Sequence, residues 1–193
     1  MSHGLANPNE ADMQRLKRCA RYLQGTMNYA KFFPVDGDTD ELWTYVDSDA
    51  AGDKVSRGST SGMTVTIGGC NLVDGSKAQI PIALSSGEAE WYSAGAGASE
   101  AIHMVVVLRF LFRKDIRNVV LTDATVCKAI GQRQGVGKIK HLETKSLWLQ
   151  QKIKDKVIYL RKVGTKDNLG DFGTKEFGPS EFERLREMNG YLP

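Results

Sequence analysis

Cysteine is scarce in this chain, which contains only three among its 193 residues. Cys19, Cys70 and Cys127 are odd in number, lie far apart and lack the short spacing of metal ligands. This pattern argues against a disulfide framework and against a cysteine-based metal site. We therefore expect three buried free thiols in a reducing compartment.

Long apolar runs are missing as well. No window offers the roughly 18 uninterrupted apolar residues of a membrane span, and residues 1–9 lack the basic start and apolar core of a secretion signal. We therefore expect neither a membrane partner nor a secretion signal. The apolar share of 41% and the charged share of 25% exclude a disordered or fibrous chain. The length suffices for one domain with a sizeable core.

The charged residues are strongly segregated along the chain, although the net charge is only +3. Residues 32–127 contain 7 basic and 13 acidic side chains, whereas residues 128–166 contain 11 basic and 2 acidic ones. An acidic part followed by a basic part suggests a cation site beside a surface for a polyanion such as nucleic acid. Solvated helix faces also collect lysines, so the charge pattern alone leaves both interpretations open.

Hydrophobic periodicity predicts a meander of three antiparallel strands followed by alternating helices and strands. This order is typical of an α/β protein with a mixed sheet and helices on its faces. We expect an N-terminal helix and linker over 1–40, a central domain over 41–178 and a C-terminal helical tail over 179–193. The predicted elements, in chain order, are helix Glu10–Gln24, strands Glu41–Asp47 and Ser61–Ile67, a strand around Leu72 with an edge piece near Ile80, a helix from Ser85 to Phe112, strand Asn118–Thr122, helices Ala124–Arg133 and His141–Lys154, strand Val157–Val163, and helices Asp167–Lys175 and Pro179–Met188.

Three carboxylates lie within residues 45–53, directly after a run of strand-forming residues. Side chains alternate along a strand, so Asp47 and Asp49 project to the same face if the strand persists. Close carboxylates are costly to ionise unless a cation neutralises them, whereas Asp- and Gly-rich runs also end strands in solvated turns. Taken alone, the stretch fits a cation site or a turn.

Carboxylates also recur where other predicted elements begin or end. Besides Asp47, Glu90 lies one turn inside the long helix, Asp123 ends the fourth strand and Asp171 follows the last strand. Four carboxylates from four elements can converge at one end of a sheet, and Mg²⁺ prefers such oxygen ligands. Three of them also have structural interpretations: a solvated helix residue for Glu90, a helix N-cap for Asp123 and a surface charge for Asp171.

An ordered set of motifs resembles the ribonuclease H domain of copia-type retrotransposon polyproteins. The resemblance runs from about Leu42 to Lys175, and its most specific signal is the Ser-Ser-x-Glu-Ala-Glu run over 85–90. Residues 16–26 upstream resemble the helix at the end of a preceding reverse transcriptase. The matching stretches are Tyr45-Val46-Asp47-Ser48-Asp49 with Gly52-Asp53, Arg57 to Gly62, Ala83 to Glu90, Thr122-Asp123, Lys140-His141 and Gly170-Asp171-Phe172-Gly173-Thr174-Lys175.

This resemblance implies a ribonuclease H-like fold, a five-stranded mixed sheet flanked by helices, that cleaves the RNA strand of RNA–DNA hybrids during reverse transcription. It implies that Asp47, Glu90, Asp123 and Asp171 are the catalytic carboxylates and bind two Mg²⁺ ions, which Mn²⁺ can replace. Asp47 is the expected bridging ligand between the two ions. Such a pair of ions activates a water and stabilises the leaving oxygen in a displacement at phosphorus.

The resemblance also distinguishes neighbouring acids. Glu90 is preferred over Glu88 because the family's glutamate directly precedes a bulky residue, here Trp91. Asp49 and Asp53 are left with supporting or turn roles. Three positions that depart from the family without removing a ligand are Ala50, Ala124 and Gly170.

The implied partners are an RNA–DNA hybrid and an adjoining reverse transcriptase domain. The implied location is a virus-like particle in the cytoplasm, with the nucleus as an alternative. Binding to phosphates is expected to weaken as salt rises. The alternative function is that of a catalytically inactive ribonuclease H-like remnant with a nucleic-acid-binding or a structural role. The expected nucleic-acid contacts are Ser59, Thr60, Lys138, Lys140, His141 and Lys145.

Overall fold

The computed structural model describes residues 7–34, 37–52, 57–133 and 144–193, apart from the side chains of 144–146. Contacts divide the chain into two compact units. The larger unit comprises residues 33–190, and the smaller one comprises the N-terminal segment up to Phe32 together with Tyr191–Pro193. The predicted domain boundaries after residues 40 and 178 stay a prediction.

The smaller unit contains one helix and a two-stranded ribbon. Helix α1 (Glu10–Gly25) begins with a capping box, in which Asn9 and Asp12 exchange side-chain-to-backbone hydrogen bonds of 3.0 and 3.1 Å. Strand β1 (Ala30–Lys31) pairs antiparallel with β7 (Tyr191–Leu192). The sequence predicted the helix but not the ribbon, because strands of two residues carry too little alternation to be recognised.

The larger unit is built on a five-stranded mixed sheet. Strands β2 (Glu41–Asp49), β3 (Thr60–Ile67) and β4 (Cys70–Ala78) form an antiparallel meander. Strands β5 (Arg117–Thr122) and β6 (Tyr159–Lys162) run parallel to β2. The spatial order is β4-β3-β2-β5-β6, with β2 in the centre. This arrangement confirms the predicted fold class of three antiparallel strands followed by αβ units.

Helices flank the sheet, and the longest of them is α2 (Ser86–Phe112). Its buried small residues Ala94, Gly97 and Ala98 let the helix backbone lie close to β2. Among the described residues it is the one helix long and apolar enough to cross a membrane by length and composition alone. It also supplies residues to two apolar core clusters, although only 28% of its apolar 18-residue window is buried. The remaining elements are α3 (Thr125–Gly131), α4 (Thr144–Lys154), α5 (Pro179–Met188) and 3-10 turns over Thr165–Asp167 and Leu169–Gly173.

Apolar packing on both faces of the sheet fixes the direction of the β2 side chains. Val46 lies in a buried cluster with Trp91 of α2, whereas Tyr45 lies in a different cluster with Leu169. Successive strand residues point to opposite faces. Asp47 therefore leaves β2 on the same face as Tyr45, toward the segment that carries Leu169.

The third predicted strand differs from the observed one. The observed strand β4 runs unbroken through Gly75, which pairs with Met63 in the sheet. A Cβ at Gly75 would lie 2.8 Å from the Met63 side chain, so glycine here leaves room for a neighbour rather than ending the strand. The predicted edge piece near Ile80 is wrong, because Ile80 is 89% exposed in a bend that continues into Pro81.

The predicted helix over Asp167–Lys175 is also wrong. Asn168 has an extended backbone and separates two 3-10 turns. Its side chain accepts a hydrogen bond of 3.2 Å from the backbone N–H of Gly170, which replaces a helical partner. The other predicted elements are present with ends shifted by one or two residues, and the predicted start of α4 lies outside the described residues.

The cysteines differ in burial. All three are free thiols, but Cys19 and Cys70 are only half-buried and Cys127 alone is buried. The expectation of three buried thiols is therefore wrong for two of them. Burial raises the pKa of the Cys127 thiol to about 12, so this side chain is protonated and packs as an apolar group.

Candidate metal centre

Two of the four predicted carboxylates lie at the carboxyl ends of neighbouring parallel strands. Tyr45 of β2 is opposite Leu121 of β5, and Asp47 and Asp123 each follow two residues later. The carboxyl ends of parallel strands meet at one edge of a sheet. One carboxylate oxygen each of Asp47, Asp123 and Glu90 consequently lies within 4.8 Å of the other two.

Helix α2 brings Glu90 to this edge. Ser85 caps the helix by accepting a hydrogen bond of 3.2 Å from the backbone N–H of Glu88. One turn further, the Ser93 hydroxyl donates a hydrogen bond of 2.5 Å to the backbone carbonyl of Asp47. This bond ties the helix to β2 at the level of the site. Glu90 is partly buried, and its Oε2 has no hydrogen-bond partner, so it is not a solvated helix residue.

Glu88 has a structural role. It is 1% exposed, and its carboxylate accepts hydrogen bonds from the backbone N–H of Leu84 at 2.9 Å and from the Tyr92 hydroxyl at 2.7 Å. These bonds fix the loop before α2 to the first turns of the helix. The geometry therefore brings Glu90, and not Glu88, to Asp47 and Asp123.

Asp123 follows β5 directly and does not cap the next helix. The residue at the N-cap of α3 is Ala124, which makes no side-chain capping bond. The structural interpretation of Asp123 as an N-cap is therefore wrong. Instead, the amide nitrogen Nδ2 of Asn168 lies 3.5 Å from Oδ1 of Asp123.

Asp171 arrives on the 3-10 turn that follows β6. This turn lies directly against β2: a Cβ at Gly170 would lie 2.7 Å from the carbonyl carbon of Val46 and 2.8 Å from the backbone nitrogen of Asp47. A close approach of two backbones requires glycine. The departure at Gly170, where the family has alanine, therefore corresponds to tight packing of the turn on the central strand. Asp171 is 6% exposed, so it is not a surface charge.

Asn168 holds this turn in place and was missed from the sequence. It is fully buried, and its Nδ2 donates a hydrogen bond of 3.0 Å to the carbonyl of Val46. The same amide group therefore contacts β2, the following turn and Asp123. An asparagine two residues before a glycine is an ordinary turn signal, and nothing in its spacing indicates contacts with residues far away in the sequence.

Thr174 and Lys175 also reach the site from the same segment. Nζ of Lys175 lies 2.9 Å from Oδ2 of Asp171 and 3.6 Å from Oδ1 of Asp47. The Thr174 hydroxyl donates a hydrogen bond to Oδ2 of Asp47. We call Asp171, Thr174 and Lys175 the turn side of the site, and Glu90 with Asp123 the helix side. Asp47 belongs to both sides.

Burial dominates the electrostatics of the site. It raises the pKa of Glu90 from 4.5 to about 7, and the charge of Asp47 adds to the effect. Burial also raises the pKa of Asp171 from 3.8 to about 6, although its hydrogen bond with Lys175 opposes the shift. Burial alone would lower the pKa of Lys175, but the hydrogen bond to Asp171 and the charge of Asp47 raise it above 10.5. The site is therefore short of positive charge.

Comparison with known proteins identifies relatives over almost the whole chain. No protein-family model matches it. Over 98% of its length it is 29% identical to the retrovirus-related Pol polyprotein from transposon TNT 1-94 of Nicotiana tabacum, of which it covers 14%. Over 98% of its length it is 30% identical to the retrovirus-related Pol polyprotein from transposon RE1 of Arabidopsis thaliana, of which it covers 13%. Its homologues are thus retrovirus-related Pol polyproteins of plant transposons. It spans less than one sixth of the length of these relatives.

The chain also resembles a shorter protein. It is 38% identical over 109 residues to Secreted RxLR effector protein 161 of Plasmopara viticola. The match covers 56% of this chain and 76% of the effector protein.

Solved structures similar to this chain include ribonuclease H domains. The N-terminal RNase H domain of a Mycobacterium tuberculosis protein has a TM-score of 0.46 and 14% identity over 76% of this chain and 96% of that one. LC11-RNase H1 in complex with an RNA/DNA hybrid has a TM-score of 0.43 and 14% identity over 66% and 88%. The sheet order β4-β3-β2-β5-β6 is itself the ribonuclease H-like arrangement. The fold implied by the resemblance is therefore confirmed.

Some of the predicted nucleic-acid contacts belong to the part of the chain that the structure describes, and the others lie outside it. Ser59 is 1% exposed, and its hydroxyl accepts a hydrogen bond of 3.0 Å from the backbone N–H of Ala51. Thr60 is half-buried at the start of β3. Contact with nucleic acid stays a prediction for all six residues. Those that lie outside the described residues are Lys138, Lys140, His141 and the side chain of Lys145.

A cavity of about 650 Å³ lies beside the turn side and opens to solvent. Asp171, Thr174 and Lys175 line it, together with Asp49 at the end of β2. Asp49 is not among the three carboxylates that lie within 4.8 Å of one another. Asp53, the third acid of the stretch that follows β2, lies outside the described residues. The cavity leaves the turn side open toward solvent.

Proposed function

We propose that this chain is a divalent-metal-dependent endoribonuclease that cleaves the RNA strand of RNA–DNA hybrids during retrotransposon reverse transcription. The observation that carries this proposal is the convergence of Asp47, Glu90 and Asp123, whose carboxylate oxygens lie within 4.8 Å of one another. Similarity to Pol polyproteins supports it, because the motifs that supply these carboxylates resemble those of the ribonuclease H domain.

The donor set fits Mg²⁺ or Mn²⁺. All the donors are carboxylate oxygens, which hard divalent cations prefer. Oε2 of Glu90 and Oδ1 of Asp171 are buried without a hydrogen-bond partner, and a buried oxygen left in this way is costly unless a cation or proton satisfies it. We assign Asp47, Glu90, Asp123 and Asp171 as the catalytic residues that would hold two ions, with Asp47 shared. When bound, such ions supply an activated water and stabilise charge on the phosphate oxygens.

The chain's own residues keep the carboxylates in fixed positions. Ser93 binds the backbone carbonyl of Asp47, and Asn168 contacts both the carbonyl of Val46 and the carboxylate of Asp123. Strand β2, helix α2 and the 3-10 turn are thus tied together within a few ångströms of the site. Rigid positioning contributes to rate, because reacting groups displaced by about 1 Å react far more slowly.

An RNA–DNA hybrid fits the charge pattern as substrate. Residues 128–166 contain 11 basic and 2 acidic side chains, which would bind phosphates and make affinity fall as salt rises. The wide minor groove of such a duplex displays 2′-hydroxyls, so the enzyme can select the RNA strand. An adjoining reverse transcriptase domain as partner, and a cytoplasmic virus-like particle as location, belong to the same proposal.

The test is cleavage of a labelled RNA–DNA hybrid in Mg²⁺, in Mn²⁺ and in chelator. We expect RNA-strand products only with metal, and none from Asp47→Asn or Asp123→Asn, because asparagine keeps the shape of aspartate and removes its charge. Asp115→Asn is the matched control, since Asp115 is an 89% exposed aspartate paired with Arg109. Unchanged cleavage in both site variants would overturn the proposal. Salt-sensitive hybrid binding without turnover in either metal would favour the inactive alternative.

A further inference from the structure

Lys175 is a cation already present in the carboxylate site. Its ammonium lies 2.9 Å from Oδ2 of Asp171 and 3.6 Å from Oδ1 of Asp47. Thr174 donates a hydrogen bond to the remaining oxygen of Asp47. Two consecutive residues therefore engage both oxygens of the carboxylate that is shared between the two sides of the site.

The helix side has no comparable partner among the described residues. Oε2 of Glu90 is buried and makes no hydrogen bond. On the turn side Asp171 is 6% exposed, and only its Oδ1 lacks a partner. Among the described residues, the positive charge at the site is thus concentrated on the turn side. The helix side receives no such charge from these residues.

A metal ion at the turn side would meet the Lys175 ammonium at close range. Two positive charges about 4 Å apart in a partly buried site repel strongly, so the ion and the ammonium exclude each other. The Lys175 side chain is 39% exposed, whereas those of Asp47 and Asp171 are 3% and 9% exposed. A long, flexible lysine stem that borders an open cavity can withdraw its head into solvent.

We propose that Lys175 is an internal counter-ion that occupies the turn side of the metal-free protein, competes with one of the two cations and thereby makes the cations bind in order. The first ion binds between Asp47, Glu90 and Asp123. The second binds between Asp47 and Asp171 only when Lys175 withdraws. This inference rests on the proposed function and adds to it a positioning residue that controls metal occupancy.

The test measures Mn²⁺ binding by calorimetry in the absence of nucleic acid. We expect the wild-type protein to bind one ion tightly and a second one much more weakly. Lys175→Gln keeps a hydrogen-bond donor but removes the charge, and should tighten the second binding step about tenfold or more and the first step, which shares Asp47, by a smaller factor. Lys175→Arg keeps the charge and should leave the second step weak. Lys154→Gln, at an exposed position of α4, is the matched control and should resemble the wild type.

A second measurement avoids any folding defect of the variants. In the wild-type protein, the NMR signal of the Lys175 ε-methylene group is followed while Mg²⁺ is added. We expect it to move mainly during the second equivalent, when the ammonium leaves Asp171, and to move less during the first. A signal that reaches its final position during the first equivalent would overturn the proposal.

The outcomes separate this inference from the function on which it rests. Hybrid cleavage by the same preparations, together with a second binding step that Lys175→Gln leaves unchanged or weakens, would overturn the inference and leave the function standing. Absence of both cleavage and Mn²⁺ binding in the wild-type protein would overturn both.

Discussion

The two sides of the carboxylate site handle the same excess of negative charge in different ways. On the helix side, burial raises the pKa of Glu90 to about 7 and leaves one of its oxygens without a partner. On the turn side, Lys175 pairs with Asp171 at 2.9 Å and approaches Asp47 at 3.6 Å. The turn side borders an open cavity, which a lysine head can enter from solvent. The helix side is formed by Glu90 of α2 and Asp123 after β5, which are only partly buried, and no ammonium among the described residues makes the same contact there. The helix side therefore responds mainly to metal ions and protons. The turn side responds in addition to the ammonium of Lys175.

The largest expected effect separates two glutamates of α2. Glu90→Gln should lower hybrid cleavage about 1000-fold or more, because loss of a metal ligand removes several kcal/mol of transition-state stabilisation. Glu88→Gln is the matched control, since Glu88 binds Leu84 and Tyr92 rather than the site. It should lower stability by about 1 to 2 kcal/mol and change the rate by about threefold at most. Single-turnover cleavage at saturating Mg²⁺ measures both rates.

Equal rate losses in the two variants would contradict this assignment, since they would place both glutamates in the chemistry. A wild-type rate in Glu90→Gln would show that the helix side does not take part. Either result would contradict the assignment of Glu90, and not Glu88, to the helix side of the site.

The second prediction concerns the attachment of the turn side. Gly170→Ala should lower the free energy of unfolding by about 2 to 3 kcal/mol, because the new Cβ would lie within 2.8 Å of backbone atoms of Val46 and Asp47 that cannot move independently. Gly178→Ala is the matched control: no heavy atom lies within 4 Å of its ideal Cβ, its φ is −67°, and the change should stay within about 0.5 kcal/mol. Urea unfolding in chelator measures both.

If Gly170→Ala were as stable as the wild type, the turn would have to lie further from β2 than the structure places it. The alanine that the family has at this position would then need no compensating change in how the turn packs on β2. A further comparison in Mn²⁺ would show whether a displaced turn still binds metal, which the helix side should do without it.

The sequence carried enough information to predict the sheet and the helix side. Alternation in β2 together with its acidic end indicated Asp47, whereas the resemblance selected Glu90 over Glu88 because Glu90 directly precedes Trp91. These signals are local, because strand and helix periodicities and caps are read within a few residues. Asp123 followed from the end of an apolar strand, although its structural interpretation as a cap was wrong.

The turn side could not be predicted in the same way. Thr174 reaches Asp47 across 127 positions of the sequence, and Asn168 reaches Val46 across 122. The sequence predicted a helix over Asp167–Lys175, and nothing local indicated that an extended Asn168 would divide this segment into two 3-10 turns. Tertiary contacts decide such turns, so the chemistry of Lys175 became visible only in three dimensions.

The smallest expected effect is a pH dependence that distinguishes the two sides in the metal-free protein. The folded-state pKa of Glu90 is raised from 4.5 to about 7, so between these values the folded chain binds more protons than the unfolded chain. Stability should therefore fall as pH rises through this window. Since Glu90 is only partly buried, we expect a loss of about 1 to 2 kcal/mol from this residue. Urea unfolding in chelator at several pH values measures it.

Glu90→Gln provides the comparison, because an uncharged side chain cannot titrate. The variant should lose the part of the pH dependence that extends up to about pH 7 and be more stable than the wild type above it. The loss of stability that comes from Asp171 should persist in the variant. Because the pKa of Asp171 is raised from 3.8 to about 6, this loss is complete at a lower pH than the loss from Glu90. Identical pH profiles in the two proteins would mean that Glu90 is solvated in the metal-free state, and the helix side would then have no unmet charge for a metal to neutralise.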